Sequence, residues 1–132
     1  MTAPQQFLES FLQEKAAAYA EASVRLAAVH TKYFGEPLLK HARDFLPRDS
    51  AAAVFEDVTQ AQTGGSSIAI TREHFASGDI RTRYHLAAVG ASWKIIGIDR
   101  ECFLCRGTGR WETKRCQKCD GEGWYDPRKH AA

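Results

Sequence analysis

Residues 80–103, "IRTRYHLAAVGASWKIIGIDRECF", hold a strand, a turn, a second strand and the first cysteine of the chain in one uninterrupted run. Ile80, Thr82, Tyr84 and Leu86 alternate with Arg81, Arg83 and His85, a period of two that sends the two sets to opposite faces of a sheet. Gly90 and Ala91 turn the chain, and the unbroken apolar "IIGI" at 95–98 predicts a centrally placed strand covered on both sides. Upstream, "AVFEDVTQAQ" (53–62) and "SSIAITREHF" (66–75) predict two more strands, bounded by the turn signals "TGG" at 63–65 and "SGD" at 77–79. In the second of these, Ile68 and Ile70 share one face with His74 in the same parity. Four strands joined by short turns make an antiparallel meander.

Helical spacing precedes the meander. Over residues 5–33, Phe7, Leu8, Phe11, Leu12, Tyr19, Leu26 and Val29 recur every three or four positions, while Glu9, Gln13, Glu14 and Lys15 fall elsewhere. Alanine is abundant and no Gly or Pro intervenes before Gly35 and Pro37, so the stretch predicts one long helix. At ~1.5 Å per residue that helix would be roughly 40 Å long. A second, shorter helix is expected over "LLKHARDFL" (38–46), ended by Pro47. Two helices followed by a meander is an α+β plan, the helices packed on one face of the sheet.

A helix-first chain ending in "YHLAAVGASWKIIGID" (84–99) resembles the nuclear-transport-factor-two-like superfamily, also called SnoaL-like. That resemblance covers roughly residues 5–101 and implies a bent sheet curled around a long helix, an internal pocket, and dimerisation through the open sheet face. In enzymes of the superfamily, an acid or imidazole in the pocket acts as general base beside Tyr or His donors. The residues here that could line such a pocket are His74, Tyr84 and His85, with Asp79, Arg81 and Arg83 nearby. Their parities differ, so they cannot all face one cavity. Glu56, Arg72 and Glu73 are expected on a solvated face, and His30 and His41 on helix surfaces.

The cysteines of the 132-residue chain are confined to Cys102, Cys105, Cys116 and Cys119. Each pair sits in the frame CxxCxGxG, and every element of the frame repeats at an offset of 14: Gly107 with Gly121, Gly109 with Gly123. Four thiolates at CxxC spacing suit one tetrahedral Zn²⁺ with no open position, which is the arrangement of a structural site. Glycine at these places permits positive φ and close approach of the backbone. A pair of disulfides or a redox CxxC is the rival reading, disfavoured by the spacing and the glycine-rich context, and an iron–sulfur cluster is a lesser one. The paired octets resemble half of the DnaJ-type cysteine-rich domain and are similar to a bacterial inhibitor of the tryptophan attenuation protein. In those proteins such hairpins are protein-interaction surfaces. The His-Pro-Asp signature of a J-domain does not occur, so Hsp70 co-chaperone activity is not implied.

Charge narrows the partners. The chain has a formal net charge of +2 and the segment 100–132 holds the excess of cations. Four thiolates around one zinc would lower that segment to about +1, too little for a nucleic-acid footprint. No apolar run is long enough to span a membrane and no secretory signal opens the chain, so a cytoplasmic protein is expected. The expected organisation is a cone-like domain at 1–101, a zinc hairpin at 102–126 that needs the metal to fold, and a tail at 127–132. Phe103, Trp111, Trp124 and Tyr125 are the aromatic side chains the hairpin offers to the cone or to a partner.

Three readings follow, in order of preference. The first is a non-enzymatic zinc-binding module that engages a protein partner, with a homodimer implied by resemblance. The second is a small isomerase- or dehydratase-like enzyme using a cone pocket, with zinc as a remote staple. The third is a weak nucleic-acid binder using Arg100, Arg106, Arg110, Lys114, Arg115 and Lys118.

Overall fold

The structure is a computed structural model that describes residues 2–21, 23–40, 52–60, 65–75 and 78–130. Side chains at 18–26, 52–54, 59–60, 74–75, 78 and 127 lie outside that description, as does the chain at 41–50. Four strands form the expected meander: β1 (Ala52–Gln60), β2 (Ser66–Phe75), β3 (Gly78–Val89) and β4 (Ser92–Glu101), each antiparallel to the next. Bulges at Phe55/Asp57 in β1 and opposite His85/Leu86 in β4 interrupt the register, and the sheet curls into a half-barrel. A bulge adds local twist and bend, which is how a sheet this narrow closes around a helix.

The long helix is present in part. Helix α1 (Pro4–Glu21) does not continue to residue 33; a second helix, α2 (Ser23–Tyr33), folds back along it. Ring contacts decide this, since Phe7 and Phe11 lie 5.3 and 5.5 Å from Tyr33. A continuous helix would put those residues roughly 33–39 Å apart. Alanine-rich sequence favours helix on either side of a bend, so propensity alone cannot place one. What favours the bend is burial: the stripe Phe7, Leu8, Phe11 and the stripe Val29, Tyr33, Phe34 enter one core with Leu38, Leu86, Trp93, Ile95 and Ile98. Of the second helix expected at 38–46, the described part is the single turn α3 (Glu36–Leu39); the remainder, His41 included, lies outside the described residues.

The concave face of the sheet carries Ser67, Ala69, Thr71 and Glu73 of β2, then Thr82, Tyr84 and Leu86 of β3, all buried. The alternation expected for β3 therefore holds. In β2 the polar and small residues face inward, while Ile68 stands 42% exposed on the other side. Strand β4 is not central. It lies next to the sheet's edge, where Phe34 bridges Ile95 and the amide of Gly35 donates to the Ile95 carbonyl at 2.7 Å. Gly35 is required there, because a Cβ would come 2.9 Å from Ile96 Cγ2. The apolar run thus reflects cover by the chain after α2, rather than by strands along both sides.

Past Glu101 the chain enters three two-residue strands, β5 (Arg110–Trp111), β6 (Lys114–Arg115) and β7 (Trp124–Tyr125), then one helical turn, α4 (Pro127–His130). Strands β5 and β6 pair with each other, whereas β7 pairs back onto β4, Arg100 opposite Tyr125 and Glu101 opposite Trp124. No helix among the described residues is long and apolar enough to cross a membrane.

Candidate metal centre

Strand β4 delivers Cys102 directly from the sheet, and the chain loops through Cys105, back along β5 and β6, and through Cys116 and Cys119. All four are buried, and their sulfurs lie within 4.8 Å of one another. Cys102 and Cys116 Sγ are 3.8 Å apart, and Cys105 and Cys119 Sγ 3.7 Å. A tetrahedron of sulfurs around zinc at ~2.3 Å has edges of about 3.8 Å, so the donor set already has the size that the ion requires. The rival disulfides are absent; the thiols are free, and S···S distances near 3.8 Å are far above the ~2.05 Å of a bond.

The two octets are copies in space as well as in sequence. Arg106 and Asp120 have φ of 52° and 54°, Gly107 and Gly121 82° and 77°, and Gly109 and Gly123 79° and 82°. The amide of Gly109 donates to Cys105 Sγ at 3.4 Å and that of Gly123 to Cys119 Sγ at 3.2 Å. Each half then holds the other: Cys116 N–H donates to the Gly109 carbonyl and Cys102 N–H to the Gly123 carbonyl, both at 2.9 Å. A Cβ on Gly109 would sit 2.5 Å from the Gly121 carbonyl oxygen, and one on Gly123 2.5 Å from that of Gly107. The second glycine of each octet is therefore needed for contact with the opposite octet, a reason that spacing alone does not reveal.

Electrostatics also call for a cation. Burial pushes the Cys119 thiol up to about 12 and raises Cys102. Burial opposes ionisation at Cys105 too, but the Gly109 amide and the Cys119 and Cys102 thiols outweigh it and bring Cys105 down to about 7. Cys105 thus ionises readily while Cys102 and Cys119 resist, chiefly because burial penalises a thiolate that has no counter-charge. A divalent ion removes that conflict, and the four sulfurs would hold it.

No family model, no curated protein and no solved structure matches the chain.

The aromatic residues of the hairpin divide. Trp124 and Tyr125 are half-buried against the sheet and its tail: Arg83 stacks 4.7 Å from the Trp124 ring, and Tyr125 stacks on His130 at 5.6 Å. Phe103 is 71% exposed and Trp111 49%. Lys118 lies over both Phe103 and Tyr125, at 5.4 and 5.0 Å. The residues at 127–130, expected as a tail, form a docked turn in which Arg128 Nη1 donates to the Ile96 carbonyl.

The residues singled out for a pocket do not meet. Tyr84 faces the concave side and donates to Glu73 Oε2 at 2.6 Å, while His85 faces outward and lies 2.6 Å from Asp99 Oδ2. His74 lies in register with Asp79 on β2 and β3, and its side chain is outside the described residues. Glu73, expected on a solvated face, is fully buried. It accepts hydrogen bonds from Tyr84 and, at 2.9 Å, from Thr71, and lies 3.5 Å from the buried Lys15 Nζ. Burial pushes the Glu73 carboxyl up, but Lys15, Arg100 and the two hydroxyls outweigh it and hold it below its ordinary value. Burial and the adjacent Glu73 push Tyr84 well above the usual phenol range. Lys15 and Glu73 were the residues the pattern missed. Both signals existed: Lys15 follows Phe7 and Phe11 at four-residue steps, and Glu73 shares parity with Ala69 and Thr71.

Proposed function

We propose that this protein is a non-enzymatic zinc-binding module: one structural Zn²⁺ on Cys102, Cys105, Cys116 and Cys119 folds a hairpin that extends a cone-like domain as a surface for a protein partner. The observation that carries the reading is the tetrahedral spacing of four buried sulfurs at the end of a sheet strand. A closed four-thiolate site leaves the ion no vacant position for chemistry, so its contribution is to folding. The pairing of β7 with β4 supports a rigid attachment, and exposed Phe103 and Trp111 supply the apolar contact that a partner would bury. By this reading the domains divide at 101 and 126, and the open sheet face carries a homodimer, which sedimentation as a monomer would overturn. Metal analysis of protein purified without added zinc tests the first half: one zinc per chain is expected, and none overturns it. Chemical cross-linking in a lysate, compared between the parent chain and a Phe103→Ser/Trp111→Ser double variant that keeps its zinc, tests the second. A capture pattern unchanged by the double variant overturns the partner surface.

One observation favours the enzyme as a second reading. Glu73, Tyr84, Lys15 and Thr71 form a buried polar cluster on the concave face, an arrangement more costly than the apolar core around it. In a small isomerase- or dehydratase-like enzyme, ionised Glu73 would accept a proton and Tyr84 would donate one. A Glu73→Gln variant that leaves any turnover found for the parent chain unchanged would overturn this reading.

A further inference from the structure

The docking of the zinc hairpin creates a cleft of about 440 Å³ on the convex side of the sheet, away from the concave face and from the sulfurs. Arg83, His85 and Asp99 form its floor, and Glu122, Trp124, Asp126 and Lys129 its wall. The repeat builds a related cleft on the free side of the hairpin, where Thr108, Arg110 and Thr113 take the places of Glu122, Trp124 and Asp99 at the offset of 14. The lining of that copy includes no residue of the four-stranded meander, so a floor of Arg83 and His85 belongs to one of the two.

The chemistry left available in the convex cleft is selective. Every carboxylate lining it is already engaged: Asp99 by Arg83 at 2.7 Å and His85 at 2.6 Å, Glu122 by Lys129 and by His130 at 3.1 Å, Asp126 by Arg128 at 3.2 Å. Hydrogen bonds from His85 and Arg83 outweigh burial and keep Asp99 ionised, which locks the imidazole by its Nε2. Arg83 Nη1 and Trp124 Nε1 make no hydrogen bond among the described residues. Unspent groups are thus mainly donors on cationic or indole frames, beside a volume that suits a small organic molecule rather than a bare ion. We propose that this cleft binds a small organic molecule by an oxyanion group, carboxylate or phosphate, received by Arg83 and Lys129. Trp124 supplies the apolar wall for the rest of the ligand. Four of the seven lining residues lie beyond Cys119, so the site exists only while the hairpin is folded.

The test uses the zinc-loaded full chain, with benzoate and phenyl phosphate as probes followed by ¹H–¹⁵N NMR. Saturable millimolar binding is expected, with shifts concentrated at the Arg83 Nε and Trp124 Nε1 signals; the tighter probe identifies the oxyanion. Arg83→Gln should weaken binding by roughly tenfold or more, Lys129→Gln by less, and Arg115→Gln in the copied cleft should leave it unchanged. Zinc content and melting temperature show whether each variant is folded. Absence of saturation with both probes overturns the proposal. So does equal weakening by Arg115→Gln, or binding that survives removal of zinc, because each places the anion elsewhere.

Discussion

Replacing Gly109 by alanine should weaken zinc binding far more than replacing Gly107, although both glycines have nearly the same backbone conformation. Their φ values are 79° and 82°, so the penalty for placing an L side chain in that region, about 1–2 kcal/mol, is common to both. The difference lies in what the new Cβ meets. At Gly109 it comes 2.5 Å from the Gly121 carbonyl oxygen, a backbone atom fixed by the opposite octet. Relief requires the two halves to separate, and overpacking of that kind costs about 1–3 kcal/mol more. At Gly107 it comes 3.0 Å from Glu101 Oε1, the end of a flexible side chain that can swing away. If the hairpin folds with a metal, as proposed, strain in the folded form appears as lost affinity, at about 1.4 kcal/mol per factor of ten. Gly109→Ala is therefore expected to lose roughly two to three orders of magnitude, and Gly107→Ala roughly one. Gly123→Ala should match Gly109→Ala, since its Cβ meets the Gly107 carbonyl oxygen at the same 2.5 Å. Gly90→Ala, at φ 62° with open space around it, should leave zinc affinity unchanged. Competition against a chromophoric chelator measures all four. Equal losses for Gly107→Ala and Gly109→Ala would refute the reciprocal packing of the octets, and wild-type affinity in Gly109→Ala would refute the assembled site itself.

Other outcomes follow from the same geometry. Chelation of the metal should unfold the C-terminal segment first, removing β7 from β4 while the four-stranded meander keeps its circular dichroism; hydrogen exchange at residues 102–125 measures it. Single substitution Lys15→Met should destabilise by about 3 kcal/mol, because buried Glu73 loses its adjacent ammonium, whereas Lys15→Met with Glu73→Leu should recover much of that loss in denaturant unfolding. Asp99 has a folded pKa below its ordinary value of 3.8, so its contribution to stability is present above that pH and lost as pH falls through the lower folded value; Asp99→Asn should flatten the acid limb of a stability–pH curve. Phe103→Ser should change the melting temperature little, being 71% exposed, while Trp124→Ala should lower it by loosening the hairpin from Arg83.

Much of the meander was legible because its determinants are local. Period-two alternation at Thr82, Tyr84 and Leu86 and the turn residues Gly90 and Ala91 carry strand, face and connection within a few residues. The bend between α1 and α2 was not legible, since an alanine-rich stretch favours helix whether or not it turns back. Only the need of Phe7, Phe11 and Tyr33 for one core distinguishes the two outcomes. Glu73 was misjudged for the same reason. A charged residue is normally solvated, and the partner that permits its burial, Lys15, lies 58 residues away on another element.

The sequence by itself determined the candidate metal site: four thiols, two octets, one offset of 14, and glycines where positive φ is required. Those features are set by covalent geometry and by the coordination demands of a soft divalent ion, both of which act within a short stretch. Tertiary structure alone decided how the tail is used. It placed β7 on β4, half-buried Trp124 and left Trp111 exposed although the two lie near equivalent positions of the repeat. It also sent Tyr84 to Glu73 and His85 to Asp99 on opposite faces of one strand. Such outcomes depend on which distant surfaces remain to be covered once the sheet has curled, and no local pattern encodes that.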